Sequence, residues 1–303
     1  MQELITVVMP SFNSAYYIGR AINSVLEQDY KNLELIIVDN NSSDNTDKVV
    51  KNFNDKRLNY YKINNDGIIA KSRNYGIKKS NGLWIAFLDS DDYWKINKIS
   101  ICSEHMNQKN DVIYHNLINI YEKNGYEYQK KNKSQKLIKP ILSDLMVKGN
   151  QICTSSIIVR RKILLEVNGM SEEKQIVGAE DYDTWMRIAK ITNNFCYIPK
   201  YLGFYQVHKL SKSNLIDMSV PTSLVMMKYF NCLTTKEKEK AQANIIYIKN
   251  RFKYLSGTNE KINYSFINCL KYGNFSIKIK TLYMLIMIIA CRTLKKITKI
   301  KSK

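Results

Sequence analysis

Several features are scarce in this 303-residue chain, and each scarcity removes a class of protein. The six cysteines (Cys102, Cys153, Cys196, Cys232, Cys269 and Cys291) are scattered with no CxxC pair. That argues against both a zinc site and a disulfide framework, and fits a reducing cytosolic setting. The opening "MQELITVVMP" has no basic start and no long apolar core, since it carries Glu3 and soon meets Pro10; a secretory signal is not expected. The uncharged stretch from Thr281 to Cys291 is eleven residues, too short for a bilayer span, which takes about 20. Acidic residues are sparse in the last third. Residues 1–200 hold 28 Lys+Arg against 23 Asp+Glu, residues 201–303 hold 19 against 4, so +15 of the net +20 falls in the C-terminal part. Such asymmetry predicts an anionic surface as partner, phospholipid or nucleic acid, unless the lysine excess is only a compositional bias of the genome.

What is present is ordinary for a folded chain: 45% hydrophobic and 24% charged residues, and length enough for one large domain or a domain with a helical appendage. "LITVV" (4–8) is short and β-branched, and "SAYYIGRAINSVLEQ" (14–28) repeats its apolar residues at helical spacing. The alternation continues through "ELIIVD" (34–39), "NTDKVVKNF" (45–53), "LNYYKI" (58–63), "GIIAKSRNYGIKKS" (67–80) and "LWIAFLD" (83–89). Repeated βαβ units predict a mainly parallel sheet covered by helices, with ligands beyond the carboxyl ends of its strands. Those ends read "PSFN" (10–13), "DNNSSDNT" (39–46) and "DSDD" (89–92). One Asp after a strand is ordinarily a turn or cap, but three polar ends in one series predict a crevice. Asp89, Asp91 and Asp92 repel one another unless a cation lies among them, so a bound metal is the natural remedy.

Beyond residue 110 the regularity loosens. "DVIYHNLINIY" (111–121) reads as a strand, "KKNKSQK" (130–136) as an exposed loop, and "TSSIIVRRKILLEVNGM" (154–170) as a strand passing into a helix. "GAEDYDTWMRIAKI" (178–191) is a helix whose apolar face starts at Glu180 and Asp181, and from about 218 the reading is almost wholly helical. The final segment carries Lys278, Lys280, Arg292, Lys295, Lys296, Lys299, Lys301 and Lys303 around its apolar centre. That pattern fits a helix lying in an anionic membrane face, or a core helix with a solvated basic tail.

"VVMPSFNSAYYIGRAINSVLEQDY", "LIIVDNNSSDNT", "SRNYGIKKSNGLWIAFLDSDD" and "EDYDTWMRIA" occur in this order. Together they resemble the family 2 glycosyltransferases of the kind that build bacterial O-antigens and capsules, over roughly residues 3–215. The resemblance implies an α/β GT-A fold, a Rossmann-like nucleotide-diphospho-sugar transferase architecture with a mixed, mainly parallel sheet and helices on both faces. It implies a catalytic domain over 1–217; the helical, basic remainder over 218–303 reads from its charge as a membrane-associating region. It also implies a UDP-sugar donor and Mn²⁺ or Mg²⁺ held by Asp91 and Asp89. By the same matching Asp39 meets the uracil edge, Ser11 lies near the nucleoside, and Arg73 holds the anionic nucleotide. Asn13 reads instead as a cap of the first helix. Asp181 matches the catalytic base, with Glu180 positioning the acceptor and Trp185 walling the sugar site; its bland alternative is a helix N-cap. His208, in "YQVHKLSKS" (205–213), is a candidate diphosphate or metal contact, whereas His105 and His115 match nothing and read as structural. Asp92 orients the following loop, and Asp66 with Lys71 departs from the small-residue loop usual at that wall.

The expected reaction is metal-dependent transfer of one hexose from UDP-glucose, UDP-galactose or an N-acetylated form to a polyprenyl-diphosphate-linked saccharide, inverting to a β-linkage. The expected place is the cytoplasmic face of the cell membrane, attached peripherally. A processive synthase would bring spanning helices and a QxxRW motif, and neither is present. A sugar-nucleotidyltransferase would carry a glycine-rich loop where "PSFNSAYY" stands. A nonenzymatic nucleic-acid binder leaves the carboxylate-lined strand ends unexplained, because they repel phosphate; no nucleic-acid partner is expected. Donor identity, linkage position and oligomeric state are open at this level.

Overall fold

A computed structural model describes residues 2–123, 126–208, 217–255 and 265–301. The N-terminal half follows the predicted alternation: β1 (Ile5–Ser11), α1 (Ile18–Leu26), β2 (Leu33–Asp39), α2 (Thr46–Lys51), β3 (Leu58–Lys62), α3 (Ile69–Lys79) and β4 (Trp84–Phe87). Then come β5 (Tyr93–Trp94), α4 (Lys98–Ser103), the hairpin of β6 (Val112–Lys123) and β7 (Tyr126–Asn132), and α5 (Ile141–Lys148). A single 3-10 turn (Thr154–Ser156) leads into β8 (Ile157–Arg160), α6 (Arg161–Glu166), α7 (Glu180–Ile191) and β9 (Phe195–Val207). The helices α8 (Ser219–Lys228), α9 (Thr235–Leu255), α10 (Ser265–Tyr272) and α11 (Phe275–Lys301) follow.

The strands form one mixed nine-stranded sheet in the order β3-β2-β1-β4-β8-β6-β9-β5, with β7 on β6. β3, β2, β1 and β4 run parallel, joined by the βαβ crossovers that the alternation predicts. β8 enters antiparallel between β4 and β6, and β9 returns parallel to β6. Period-2 alternation divides the side chains between two cores. Ile5, Val7 and Met9 of β1 and Trp84 and Ala86 of β4 meet α1, α2 and α4 on one face. Val8, Ile85 and Phe87 meet α3, α5, α6 and α7 on the other, where Val225 and Met226 of α8 and Ala241 of α9 join them. A satellite core of Phe266, Met284 and Ile288 holds α10 and α11 against Tyr247 and Tyr254 of α9.

His115 is fully buried, and burial beside Lys98 drives its pKa down to about 3, so it is a neutral core residue as expected. Among the described residues no disulfide forms, and no helix is long and apolar enough to cross a membrane.

Candidate active site

The carboxyl ends of β1, β2 and β4 border one cavity of about 1380 Å³, closed on its far side by the first turn of α7. Of the sequence-predicted residues, Ser11, Arg73, Asp89, Asp91, Glu180, Asp181 and His208 line it, with Asn13 at its edge. A smaller depression of about 550 Å³ by Asn74, Arg187 and Lys228 contains none of them.

The aspartate cluster is tolerated because each member meets a different counterpart. Asp89 Oδ1 accepts from Arg73 Nη2 at 2.6 Å. Asp91 Oδ2 lies 2.9 Å from His208 Nε2, and Tyr17 stacks on that imidazole at 5.1 Å. Asp92 is 1% exposed, so burial, with Asp91 and Asp89 nearby, lifts its pKa well above the usual carboxylate range. Its oxygens accept from Ser155 Oγ (2.5 Å) and the Gln206 amide (2.9 Å), which ties the loop after β4 to β9. Asp92 therefore orients the loop, as the sequence implied.

Arg73, on α3, is 3% exposed and bridges two walls: Nη2 to Asp89, and Nη1 to Glu180 Oε1 at 3.0 Å. Burial alone would lower its pKa, but Asp89 and Glu180 outweigh that and raise it. The second oxygen of Glu180 accepts from the Gly178 amide at 2.6 Å. Gly178 has φ of +94°, which favours glycine, and a Cβ there would press on Met218 Sδ at 2.9 Å. Both Glu180 oxygens are thus engaged from behind the surface, so it shapes the approach to α7 through Arg73 and Gly178.

Asp181 follows in the first turn of α7, whose N-cap position is Ala179; the N-cap reading of Asp181 is therefore not realised. It is half-buried, with Oδ1 accepting from the Tyr182 amide at 2.6 Å. Oδ2 accepts from Thr154 Oγ1 (3.1 Å) and Asn150 Nδ2 (3.2 Å). Desolvation first and Glu180 second raise its pKa to about 6, against the opposing pull of Arg73. A carboxylate poised there suits proton abstraction near neutrality.

Three expectations are corrected. Trp185 is fully buried, tilted against Phe87 with ring centroids 6.4 Å apart, and does not reach the cavity. The periodicity that placed it on an apolar helix face was right, but that face belongs to the core. Asp39 is also fully buried: its oxygens accept from the Ser42 amide (2.9 Å) and Ser42 Oγ (2.5 Å), an Asx-type turn that leaves its neighbour Asn40 on the cavity wall. Asn13 caps no helix; at φ of 46° it exchanges hydrogen bonds with Ser42 and Ser43 instead. Asp66 pairs with Lys71 at 2.6 Å, and neither lines the cavity. Residues 209–213 of the segment after His208 lie outside the described residues.

Sequence reasoning missed Asn150, Thr154 and Ser155. Thr154 holds the Asp181 carboxylate while Ser155 Oγ donates to Asp92 and accepts from the Asp89 amide at 3.2 Å. One 3-10 turn thereby links the two acidic walls. The available signal was a polar "GNQICTSS" run directly before an apolar strand.

A divalent cation fits this donor set. Asp91 and His208 converge, Asp89 lines the same cavity while paired with Arg73, and the buried Ser11 Oγ borders the cavity with no hydrogen-bond partner among the described residues. Among the described residues no group of three or more His, Cys, Asp or Glu could by itself hold a metal ion. Mg²⁺-type ions commonly take one or two carboxylates and complete their shell with phosphate and water.

The mixed, mainly parallel sheet with the cavity at its carboxyl edge has the GT-A architecture. The sequence profile described as Glycosyl transferase family 2 matches residues 6–168, and the chain belongs to that family. It is 33% identical over 194 residues to an uncharacterized glycosyltransferase of Rickettsia conorii, which covers 62% of this chain but only 32% of that protein. It is 33% identical over 193 residues to the Escherichia coli protein named UDP-Glc:alpha-D-GlcNAc-diphosphoundecaprenol beta-1,3-glucosyltransferase WfgD, covering 63% of this chain and 71% of WfgD. Among solved structures, TarS residues 1–349 of S. aureus in complex with UDP-GlcNAc superposes with a TM-score of 0.65 at 20% identity, covering 88% of this chain and 80% of that one.

Proposed function

We propose that this glycosyltransferase moves a hexose from a UDP-sugar to a polyprenyl-diphosphate-linked saccharide in surface-polysaccharide synthesis, inverting the anomeric carbon to give a β-linkage. The observation that carries the reading is the placement of Asp181, a carboxyl group raised to about 6, in the same cavity as Asp89 and Asp91. The donor and lipid-linked acceptor are supported by the substrates in the name of the Escherichia coli relative.

Ser11 and Asn40 border the cavity where the nucleoside would lie, with Asp39 anchoring the turn behind Asn40. Asp91 and His208, with Asp89, would hold Mn²⁺ or Mg²⁺, whose Lewis acidity when bound would stabilise charge on the departing diphosphate. Arg73 holds Asp89 and Glu180 in place through its two ion pairs. Asp181, oriented by Thr154 and Asn150, takes the acceptor hydroxyl proton as that oxygen attacks C1, through an oxocarbenium-like state. A single base and no covalent intermediate invert the centre. Residues 1–217 form the catalytic part of this reading and 218–303 its helical accessory, at the cytoplasmic membrane face.

Transfer assays over a panel of UDP-sugars, with Mn²⁺ and a lipid-linked acceptor, test the proposal. The Asp181→Asn variant should lose about 10²–10⁴-fold in turnover while keeping its circular dichroism and still melting later with UDP and Mn²⁺. Near-normal transfer by a folded Asp181→Asn variant would sink the assignment of the base.

A further inference from the structure

The last helix has two apolar faces, and the core uses only one. Ile277, Thr281, Met284 and Ile288 are at most 5% exposed and turn toward the satellite core. On the opposite side Phe275, Ile279, Leu282, Tyr283, Ile286 and Ile289 are each more than half exposed. Their spacings of three and four residues place them in one stripe along the helix. A soluble surface helix ordinarily puts charge there, and a contiguous stripe of large apolar side chains marks an interaction surface.

We propose that this outward stripe of α11 is a membrane-docking surface whose occupant is an anionic phospholipid bilayer, with the helix lying in the interface plane. The charge argues for that occupant. Lys278 and Lys280 are exposed beside the stripe, and Arg292, Lys295, Lys296, Lys299 and Lys301 follow on the same helix. No acidic residue occurs anywhere from 261 to 303. A second copy of this helix has no acidic side chain to offer these cations, whereas acidic headgroups attract them. No described helix can span a bilayer, so the stripe enters only to the depth of the headgroup and acyl boundary. The inference concerns attachment alone, and vesicle binding is read without any sugar transfer, so its failure and that of the transferase reading are distinguishable.

The experiment is co-sedimentation of the full chain with vesicles of phosphatidylcholine alone and of phosphatidylcholine mixed with phosphatidylglycerol. Wild type should pellet with the mixed vesicles, less so as salt rises, and barely with phosphatidylcholine alone. The double variant Leu282→Glu/Ile286→Glu should lose binding by about tenfold or more with unchanged melting temperature. Leu282→Trp keeps the stripe apolar, so it should retain binding and, beyond the wild-type signal, show quenching by brominated lipid even if the double variant misfolds. The proposal is overturned if wild type ignores anionic vesicles, if the folded double variant binds as well as wild type, or if the fluorescence added by Leu282→Trp escapes quenching. A wild-type dimer that the double variant turns into a monomer, without vesicle binding, would instead assign the stripe to a second copy.

Discussion

Residues 1–200 and residues 201–303 handle charge in opposite ways. The first region nearly balances its charges, 28 basic to 23 acidic, and turns many of them inward, where Arg73, Asp89, Glu180, Asp92 and Ser155 satisfy one another around the cavity. The second holds 19 basic to 4 acidic residues and leaves large apolar side chains facing out beside the exposed Lys278 and Lys280. The difference teaches where each region's interactions lie. Paired buried charges fix a geometry for small-molecule chemistry, while surface charge of one sign beside apolar side chains needs an extended partner.

The largest expected effect comes from breaking the inward pairing at its centre. Arg73→Met leaves Glu180 buried and Asp89 half-buried without their cation, and removing one member of a buried ion pair costs about 3–5 kcal/mol. Chemical denaturation should show that loss, and transfer activity should fall with it. Arg73→Lys should rescue only part, because one ammonium cannot reproduce a planar fork that spans two carboxylates. A variant as stable as wild type would show that the pairing is dispensable.

Asp181 sharpens the same comparison through pH. Its folded pKa of about 6 lies above the ordinary 3.8, so the folded state binds more protons between those values and stability falls as pH rises through that window. Above about pH 6 the carboxylate's burial is a standing cost, which Asp181→Asn removes. That variant should therefore lose most of its turnover yet be more stable at pH 7, by about 1–3 kcal/mol. Wild-type turnover should climb as pH rises through about 6, because only the ionised form accepts the proton. A variant no more stable than wild type, or a flat rate profile between pH 5 and pH 7, would remove the strained carboxylate from the account.

Much of the region that pairs its charges was legible in sequence, and the reason is local. "LITVV", "ELIIVD" and "LWIAFLD" are short β-branched or apolar runs bounded by polar turns, so strand ends and their acidic residues could be placed before any tertiary structure was known. "EDYDTW" pointed to Asp181 through its likeness to the family motif, while the amphipathic pattern only placed that residue at the start of a helix. What stayed hidden depended on contacts distant in sequence. The insertion of β8 between β4 and β6 is a choice of neighbours that period-2 alternation does not encode. Thr154 and Ser155 looked like the start of a strand, and their link to Asp181 and Asp92 spans 27 and 63 residues. Asp39 and Trp185 were correctly placed on their elements, yet the direction each side chain faces was set by Ser42 and by Phe87.

Lys98 is the exception on the inward side, and it yields the smallest predicted change. It is fully buried at the start of α4, and its ammonium has no hydrogen-bond partner among the described residues, lying instead 3.6 Å from the centre of the Trp94 ring. Burial lowers its pKa from 10.5 to about 8. Between those values the unfolded chain binds the extra proton, so stability rises with pH through that window and the penalty is fully present below about 8. Lys98→Met removes the charge and keeps most of the volume, with loss of the ring contact, worth about 0.5–2 kcal/mol, as the offset. The net expectation is a gain of about 1–2 kcal/mol at pH 7, which should vanish by pH 10.5. A variant that is less stable at pH 7 would mean that the cation and the Trp94 ring hold α4 in place more strongly than desolvation opposes them.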